Sequence, residues 1–195
     1  VSVDGQTSRS CLSFAVQVGE ACYIPVAHHY AGVPEQLPRD EVLAKLKPWL
    51  ESARHAKLGQ HLKYDQHVFA NHGIALAGVV HDTLLESYVL ESDKGHDLGQ
   101  LASRHLGLDT ISYESLCGKG AKQIGFEQVA IEQAGEYSAE DSDVTLQVHN
   151  ALLPRIDAEA GLKRIYREIE MPAREVIWRM ERNGILIDSG LLAQQ

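Results

Sequence analysis

Apolar residues near the N-terminus fall into two short runs that predict a β-hairpin. The runs cover residues 11–17 and 21–26, and Gly19 stands in the turn between them. Pro25 cannot donate a hydrogen bond to a neighbouring strand, so it favours a sheet edge or a strand end. The chain is therefore expected to begin its fold with two β-strands.

A helix is predicted after a loop that contains two prolines. Its apolar residues recur at helical spacing and are Val42, Leu43, Leu46, Trp49 and Leu50. Asp40 stands at the expected N-cap, where a carboxylate can accept hydrogen bonds from the first N–H groups of a helix. Pro48 predicts a kink or an early end, because its ring removes a helical hydrogen bond.

Short strand patterns then alternate with helix patterns. Strands are predicted over residues 57–60 and 79–80, and helices over residues 62–72, 83–90 and 98–106. Gly73 follows the first of these helices and can close it, since glycine readily adopts the left-handed conformation. This alternation predicts an α/β fold with helices packed against a sheet.

The second half of the chain is mostly helical. A long helix is predicted over roughly residues 127–153, with an interruption around Gly135 and an end at Pro154. From about residue 162 the pattern changes to a charged amphipathic helix, and an apolar segment follows at residues 185–187. This change predicts that one domain covers residues 1–161 and that another begins at residues 162–195.

Composition is typical of a soluble globular protein. The chain has 195 residues, of which 44% are hydrophobic, so it can bury one main core. It contains no run of apolar residues long enough to span a membrane and no signal-peptide pattern, so a cytoplasmic protein is expected. The cysteines are odd in number and form no CxxC pair, which favours reduced thiols; they are Cys11, Cys22 and Cys117.

The charge balance restricts the kind of nucleic-acid binding that is possible. The chain has 18 Lys+Arg against 27 Asp+Glu, a formal net charge of −9. This argues against a broad basic face, because neutralising phosphates supplies most of the affinity of such surfaces. A metal-dependent phosphodiesterase avoids the conflict, since its cations bring positive charge to the phosphate and its carboxylates hold them.

Two clusters carry candidate chemistry. Asp65 closes the segment Gly-Gln-His-Leu-Lys-Tyr-Asp, where a predicted strand leads into a helix, and ligand sites of α/β sheets favour that edge. Tyr137 and Asp141 are four residues apart, so on a helix both point to one side. Structural roles stay open for both clusters, because Asp65 also suits a helix N-terminus and the acidic run at residues 140–143 also suits a solvated face.

Together the two clusters resemble the second and third motifs of DnaQ-like (RNase H-like) proofreading nucleases. In that family one motif ends in Tyr-Asp and the other reads Tyr-x-x-x-Asp. Further blocks, in order and at fitting spacing, are similar to the 3′→5′ exonuclease domain of family A polymerases of the bacterial DNA polymerase I type. These blocks are residues 12–15, 23–28, 82–88, 118–120, 134–135 and 169–172.

The resemblance implies a fold, a reaction and a set of metal ligands. The fold would be an RNase H-like mixed sheet flanked by helices. Two divalent ions, Mg²⁺ or alternatively Mn²⁺ or Zn²⁺, would be held by four carboxylates, of which Asp65 and Asp141 are present here. Asp141 would bind the tighter ion directly, Asp65 would hold the second largely through water, and Tyr137 would orient the attacking water.

The resemblance also implies partners. The substrate would be a single-stranded or frayed 3′ end of DNA, and the predicted contacts are Gln60, His61, Tyr64 and Tyr113. His61 occupies a position where the family often has Asn. A polymerase domain would follow in cis from the segment 162–195, and the protein would be a monomer associated with the bacterial nucleoid and not with a membrane.

One departure from the family is large. The first strand of the family carries Asp-x-Glu, and this sequence has no such motif before residue 12. That strand would be central, so its absence predicts a less stable fold and a chain with little or no nuclease activity. Asp4 is a candidate replacement ligand. The same residues also fit two competing hypotheses, a vestigial, non-catalytic domain and an RNA exonuclease of the ribonuclease D type.

A zinc site is not predicted from spacing. The chain has ten histidines, and none forms a His-x-x-x-His pair.

Overall fold

The computed structural model describes residues 11–193 and begins with the predicted hairpin. Strands β1 (Cys11–Gln17) and β2 (Glu20–Pro25) pair antiparallel, with Cys11 opposite Pro25. β2 ends at Pro25, as the missing N–H of proline requires. Asp4, the candidate replacement ligand, lies outside the described residues.

A second pair of strands is parallel. Strand β3 (Lys57–Gly59) and strand β4 (Val79–Asp82) are joined by a crossover that contains helix α2 (Leu62–Asn71). Gly59 lies opposite Asp82, so the carboxyl ends of both strands meet at one edge. Gly73, with φ of 70°, follows the helix as predicted.

The remaining elements are helical. In chain order they are α1 (Arg39–Leu50), α3 (Thr83–Leu90), α4 (Leu98–Leu106), α5 (Tyr113–Cys117), α6 (Ile131–Asp157), α7 (Ala160–Arg164), a π-helical segment (Ile165–Glu170), α8 (Met171–Asn183) and α9 (Ser189–Leu192). Short 3₁₀ turns lie at Gly120–Lys122 and Phe126–Gln128. Within residues 11–193 no helix combines the length and the apolar character needed to cross a membrane.

Helix α1 departs from its predicted start. It begins at Arg39 after Pro38, and Asp40 lies in the first turn, so the prediction of Asp40 as the N-cap was wrong. An acidic residue in the first turn still suits the positive end of the helix dipole. The helix ends two residues after Pro48, which is the early end that the proline predicted.

Helix α6 is longer and more continuous than predicted. Gly135 does not interrupt it and Pro154 does not end it, so both predictions were wrong. Packing overrides the local preference: a Cβ at Gly135 would lie 3.4 Å from the Tyr23 ring, so the helix and β2 are in close contact there. Leu152 and Ile156 are fully buried on either side of Pro154, and this burial holds the last turns in place.

Helix α6 packs against both strands of the hairpin and against α3 and α4. Its buried side includes Val144, Val148 and Leu152, which join Leu101 and Ala102 of α4 in one apolar cluster. A long helix that contacts both strands of the hairpin and two other helices positions side chains rigidly. Residues on its face toward the strands therefore have well-defined positions.

A cavity of about 760 Å³ lies between the two strand pairs. Its wall includes Phe14 of β1, Ile24 of β2, Leu58 of β3 and Val80 of β4, together with residues of α1 and α6. In the described part of the chain the two pairs form separate two-stranded sheets. The mixed α/β fold is confirmed, and its sheet is divided at this cavity.

Candidate active site

The turn from β3 into α2 places four of the predicted site residues on one short segment. Helix α2 starts three residues after the end of β3, and Asp65 lies in its first turn. The Asp65 side chain is only 3% exposed, whereas the neighbouring Tyr64 is 38% exposed. This turn thus presents a buried carboxylate and an exposed aromatic ring next to each other in sequence.

His61 has an unusual backbone conformation. Its φ of 58° and ψ of 42° are left-handed, and among residues 11–193 it is the one non-glycine residue with positive φ. Asn, Asp and His are enriched in this conformation compared with other side chains. His and the Asn of the family pattern therefore meet the same backbone requirement at this position.

Replacing His61 by valine is expected to destabilise the protein by about 1–2 kcal/mol, because a β-branched side chain fits the left-handed region poorly. His61→Asn serves as the matched control and should change the free energy of unfolding little. Urea denaturation of the chain and both variants measures the difference. Equal destabilisation by Val and Asn would show that the imidazole, and not the backbone, matters here.

Asp82 holds this turn in place. Its Oδ1 accepts hydrogen bonds from the N–H of His61 (3.0 Å) and of Leu84 (3.1 Å), and its Oδ2 accepts one from the N–H of Leu62 (2.9 Å). The side chain is 2% exposed. Burial raises the pKa of Asp82, and the N–H groups of His61 and Leu62 oppose that rise. One carboxylate thus caps α3 and fixes the start of α2.

Sequence reasoning assigned Asp82 no role, although a signal was present. Aspartate directly before a helical run is a common N-cap, and here it precedes Thr83. The second function of Asp82, toward residues 61 and 62, depends on the parallel pairing of β3 with β4 and is invisible to local patterns.

Gln60 is bonded within the protein. Its Oε1 accepts a hydrogen bond from the Thr83 hydroxyl at 2.5 Å, and its Nε2 donates one to the carbonyl of His96 at 2.7 Å. The side chain therefore ties the turn to α3 and to the segment before α4. Its role as a substrate contact stays a prediction.

Helix α6 carries the second cluster of the sequence motifs. Tyr137 and Asp141 lie one helical turn apart, and both are half-buried. Their acidic neighbours have structural partners, since Glu140 accepts a hydrogen bond from Ile111 N–H (2.7 Å) and Asp143 accepts one from Gly19 N–H (2.7 Å). The acidic run is thus more than a solvated face.

The Phe126 ring joins two predicted site residues. It is fully buried, Tyr113 stacks on it at 6.3 Å between ring centroids, and Tyr137 packs against it at 5.8 Å. His28 contacts the same ring at 5.9 Å, and burial lowers the pKa of His28. Tyr113 and Tyr137 come from separate elements, and the Phe126 ring is the aromatic support against which both of them pack.

The match with known proteins follows the same motifs. A family model described as 3′-5′ exonuclease matches residues 3–157, which include Asp65, Tyr137 and Asp141. The chain belongs to this 3′-5′ exonuclease family. The chain is 54% identical to DNA polymerase I of Pseudomonas aeruginosa over its whole length and 22% of that protein. It is 36% identical to DNA polymerase I of Rhizobium leguminosarum over 89% of this chain and 18% of that protein.

Solved structures give the same fold. The POL domain of Pol1 from M. smegmatis, in complex with DNA primer-template and dNTP, has a TM-score of 0.65 at 26% identity and covers 90% of this chain and 26% of that chain. Brucella melitensis NrnC has a TM-score of 0.62 at 19% identity, with coverage of 92% and 81%, which shows the fold alone. The chain spans about a fifth of the length of the curated relatives it matches.

The predicted site residues of the exonuclease domain fall into two groups. The first group lies on the turn into α2 and consists of Gln60, His61, Tyr64 and Asp65. The second group consists of Tyr137 and Asp141 on α6, together with Tyr113, which stacks on the same Phe126 ring as Tyr137. Helix α6 is joined to the β1–β2 hairpin by a hydrogen bond of 2.8 Å from Ser142 Oγ to Ser13 Oγ. The convergence of Asp65 with Asp141 on shared cations stays a prediction.

A different group of metal-ligand side chains was missed by sequence reasoning. His81, Glu86 and His149 place one ligand atom each within 4.8 Å of one another. They come from β4, α3 and α6, and 63 residues separate Glu86 from His149 along the chain. A search for short His-x-x-x-His spacing cannot find such a group.

Proposed function

We propose that this exonuclease domain removes 3′-terminal deoxynucleotides from single-stranded or frayed DNA, and that the 195-residue chain by itself does so poorly. The observation that carries the proposal is the retention of Asp65, Tyr137 and Asp141 together, on the first turn of α2 and on the long helix α6. A domain without catalysis has no physical need for all three.

Asp65 and Asp141 offer hard oxygen ligands, which fit Mg²⁺ and also Mn²⁺ or Zn²⁺. Two divalent ions, when bound, stabilise the attacking and leaving oxygens of phosphodiester hydrolysis. Asp141 is proposed to ligate one ion directly, and Asp65 the other largely through water. Tyr137 is proposed to orient the nucleophilic water through its phenol, which its packing on Phe126 holds in place.

Two carboxylates are too few for this chemistry. Mg²⁺ requires near-octahedral oxygen coordination, and each lost carboxylate removes both a ligand and a charge. The cavity between the strand pairs is proposed to accept the strand that carries the family's Asp-x-Glu. Its walls include β1 and β3, and a strand paired with both would join the two sheets into one.

DNA is proposed to contact the turn into α2 and the aromatic support. Tyr64 is exposed and Tyr113 is half-buried, so both rings are accessible for stacking on unpaired bases. Stacking tolerates any base, which suits an enzyme that removes terminal nucleotides irrespective of sequence. It also needs less positive charge than a phosphate-binding face, in keeping with the net charge of −9.

A polymerase domain in cis is the proposed neighbour of the C-terminal segment, residues 162–195. Apolar side chains in this segment are strongly exposed, including Val176 at 56%, Met180 at 62% and Leu186 at 100%. Large exposed apolar patches mark protein interfaces. The P. aeruginosa relative, of which this chain matches 22%, is named DNA polymerase I.

The test compares the 195-residue chain with a chain to which an upstream Asp-x-Glu strand has been restored. We expect Mg²⁺-dependent release of mononucleotides from single-stranded DNA only from the restored chain, and loss of that release in its Asp65→Ala variant. A restored chain that is inactive, and unchanged by Asp65→Ala, contradicts the proposal. If that protein still bound DNA, the vestigial, non-catalytic domain would be the function that fits.

A further inference from the structure

Glu86 lies at the centre of a buried polar group. Its Oε1 is 2.8 Å from His149 Nδ1 and 3.3 Å from His81 Nδ1, and it accepts a hydrogen bond from the Tyr166 hydroxyl at 3.1 Å. Glu86 and Tyr166 are both fully buried. Four elements, β4, α3, α6 and the π-helical segment, thus meet at one carboxylate.

The second oxygen of this carboxylate lacks a hydrogen-bond partner. Within residues 11–193 nothing donates to Glu86 Oε2, although the atom is buried. A buried polar atom without a partner costs free energy, and a buried carboxylate oxygen costs more than a neutral one. A cation bound by this carboxylate would neutralise its charge and so lower the cost of burying the unpartnered oxygen.

The two histidine rings connect this carboxylate to the cavity between the strand pairs. His81 and His149 both line the cavity of about 760 Å³, and their ring centroids are 4.4 Å apart. An ion entering the cavity would therefore meet two imidazoles first and the carboxylate behind them. In the 195-residue chain, whose cavity the proposed Asp-x-Glu strand does not fill, this side of the group faces the cavity and has space for a further ligand.

We propose that His81, Glu86 and His149 form a binding site for a divalent transition-metal ion of the Zn²⁺ type. Two imidazoles and one carboxylate are a known zinc ligand set with an open fourth position. Ligand atoms of a tetrahedral zinc ion are about 3.3 Å apart, given Zn–N bonds of about 2.0–2.1 Å. The His81 to Glu86 distance of 3.3 Å meets this requirement, and the His149 to Glu86 distance of 2.8 Å is shorter by about half an ångström. All three ligand atoms lie within 4.8 Å of one another, so small side-chain rotations bring them onto one ion.

Tyr166 supports this site without being a ligand. Its hydroxyl donates to Glu86 Oε1 and accepts the N–H of Asp82 at 3.1 Å, so it fixes the carboxylate relative to β4. Burial raises the pKa of Tyr166, and this keeps the phenol protonated as a donor. Such a hydrogen bond orients the carboxylate of a metal site.

The proposal places the ion on residues other than Asp65 and Asp141, and it does not depend on nuclease activity. Its consequence is structural: one ion would link β4, α3 and α6, which are otherwise joined here by hydrogen bonds. The ion would replace the hydrogen bond that now joins His149 and Glu86.

Cobalt provides a direct readout, because tetrahedral Co²⁺ absorbs visible light much more strongly than octahedral Co²⁺ does. The chain is freed of metal with a chelator and titrated with Co²⁺, followed by Zn²⁺ in competition. We expect one tetrahedral Co²⁺ per chain, displaced by Zn²⁺, and a higher midpoint of urea unfolding with Zn²⁺ present. Absence of the tetrahedral spectrum in the unmodified chain overturns the proposal, whatever the variants do.

Variants assign the ligands. His81→Gln and His149→Gln are expected to weaken Co²⁺ binding by about 100-fold or more, since loss of even a supporting residue costs 10–100-fold. His55→Gln, an exposed histidine outside the group, is the matched control and should bind as the parent does. Circular dichroism verifies that each variant is folded. Binding that is lost in Asp65→Asn and kept in His81→Gln would place the ion elsewhere and contradict the proposal.

Discussion

Replacing Asp141 by asparagine in the strand-restored chain is expected to lower the rate of nucleotide release by roughly 10²- to 10³-fold or more. Asparagine keeps the shape of the side chain and removes the negative charge that is proposed to hold the cation. Losing one preorganised charge-stabilising group costs about this much in other enzymes. The rate is measured on single-stranded DNA at saturating Mg²⁺, and again with Mn²⁺.

Asp143→Asn is the matched control for this experiment. It lies on the same helix, but its carboxylate is bonded to Gly19 N–H at 2.7 Å and to the Gln147 side chain at 2.8 Å. We expect the Asp143 variant to keep its nuclease rate and to lose a little stability at the hairpin turn. Equal rates for the Asp141 and Asp143 variants would exclude Asp141 as a metal ligand.

Replacing Phe126 by alanine is expected to reduce the free energy of unfolding by about 3–5 kcal/mol. The ring is fully buried and supports Tyr113, Tyr137 and His28 at once, so its removal leaves a cavity in the centre of an aromatic cluster. A loss of this size lowers the melting temperature by roughly 10 °C for a domain of this length. Urea denaturation and thermal melting both measure it.

Phe126→Leu provides the comparison, because leucine refills much of the space and should cost less than about 1.5 kcal/mol. In the strand-restored chain the alanine variant is also expected to lose nuclease rate below its melting temperature, since Tyr137 loses its support. If the Phe126→Ala protein were as active and as stable as the parent chain, the aromatic cluster would have no role in positioning Tyr137.

Local sequence patterns were sufficient to predict the positions of most helices and strands. The hairpin, β3, α2, α3 and α4 all lie within one or two residues of their predicted positions, because alternation, helical spacing and Gly73 report on short-range geometry. The errors occur where tertiary contacts outweigh propensity. Gly135 and Pro154 stay inside α6, since the helix packs on β2 at one point and buries Leu152 and Ile156 at the other.

For the candidate site, too, the sequence supplied some features and the tertiary structure supplied others. Asp65, Tyr137 and Asp141 were predicted from sequence as site residues, because their spacing resembles motifs of a known family, and all three lie within the family match at residues 3–157. The structure adds what holds them: the Phe126 support for Tyr137, and the Asp82 carboxylate that fixes the turn before Asp65. Neither contact has a local signature.

The sequence by itself determined the order of most elements and the family, and it supplied the candidate site residues, since these depend on short spacings along the chain. Only the tertiary structure decided that Asp82 accepts hydrogen bonds from His61 and Leu62, and that Glu86 meets His149. It also decided that a cavity separates the two strand pairs. The physical reason is that these features join residues roughly 20 to 130 positions apart, and such contacts arise from packing rather than from periodicity.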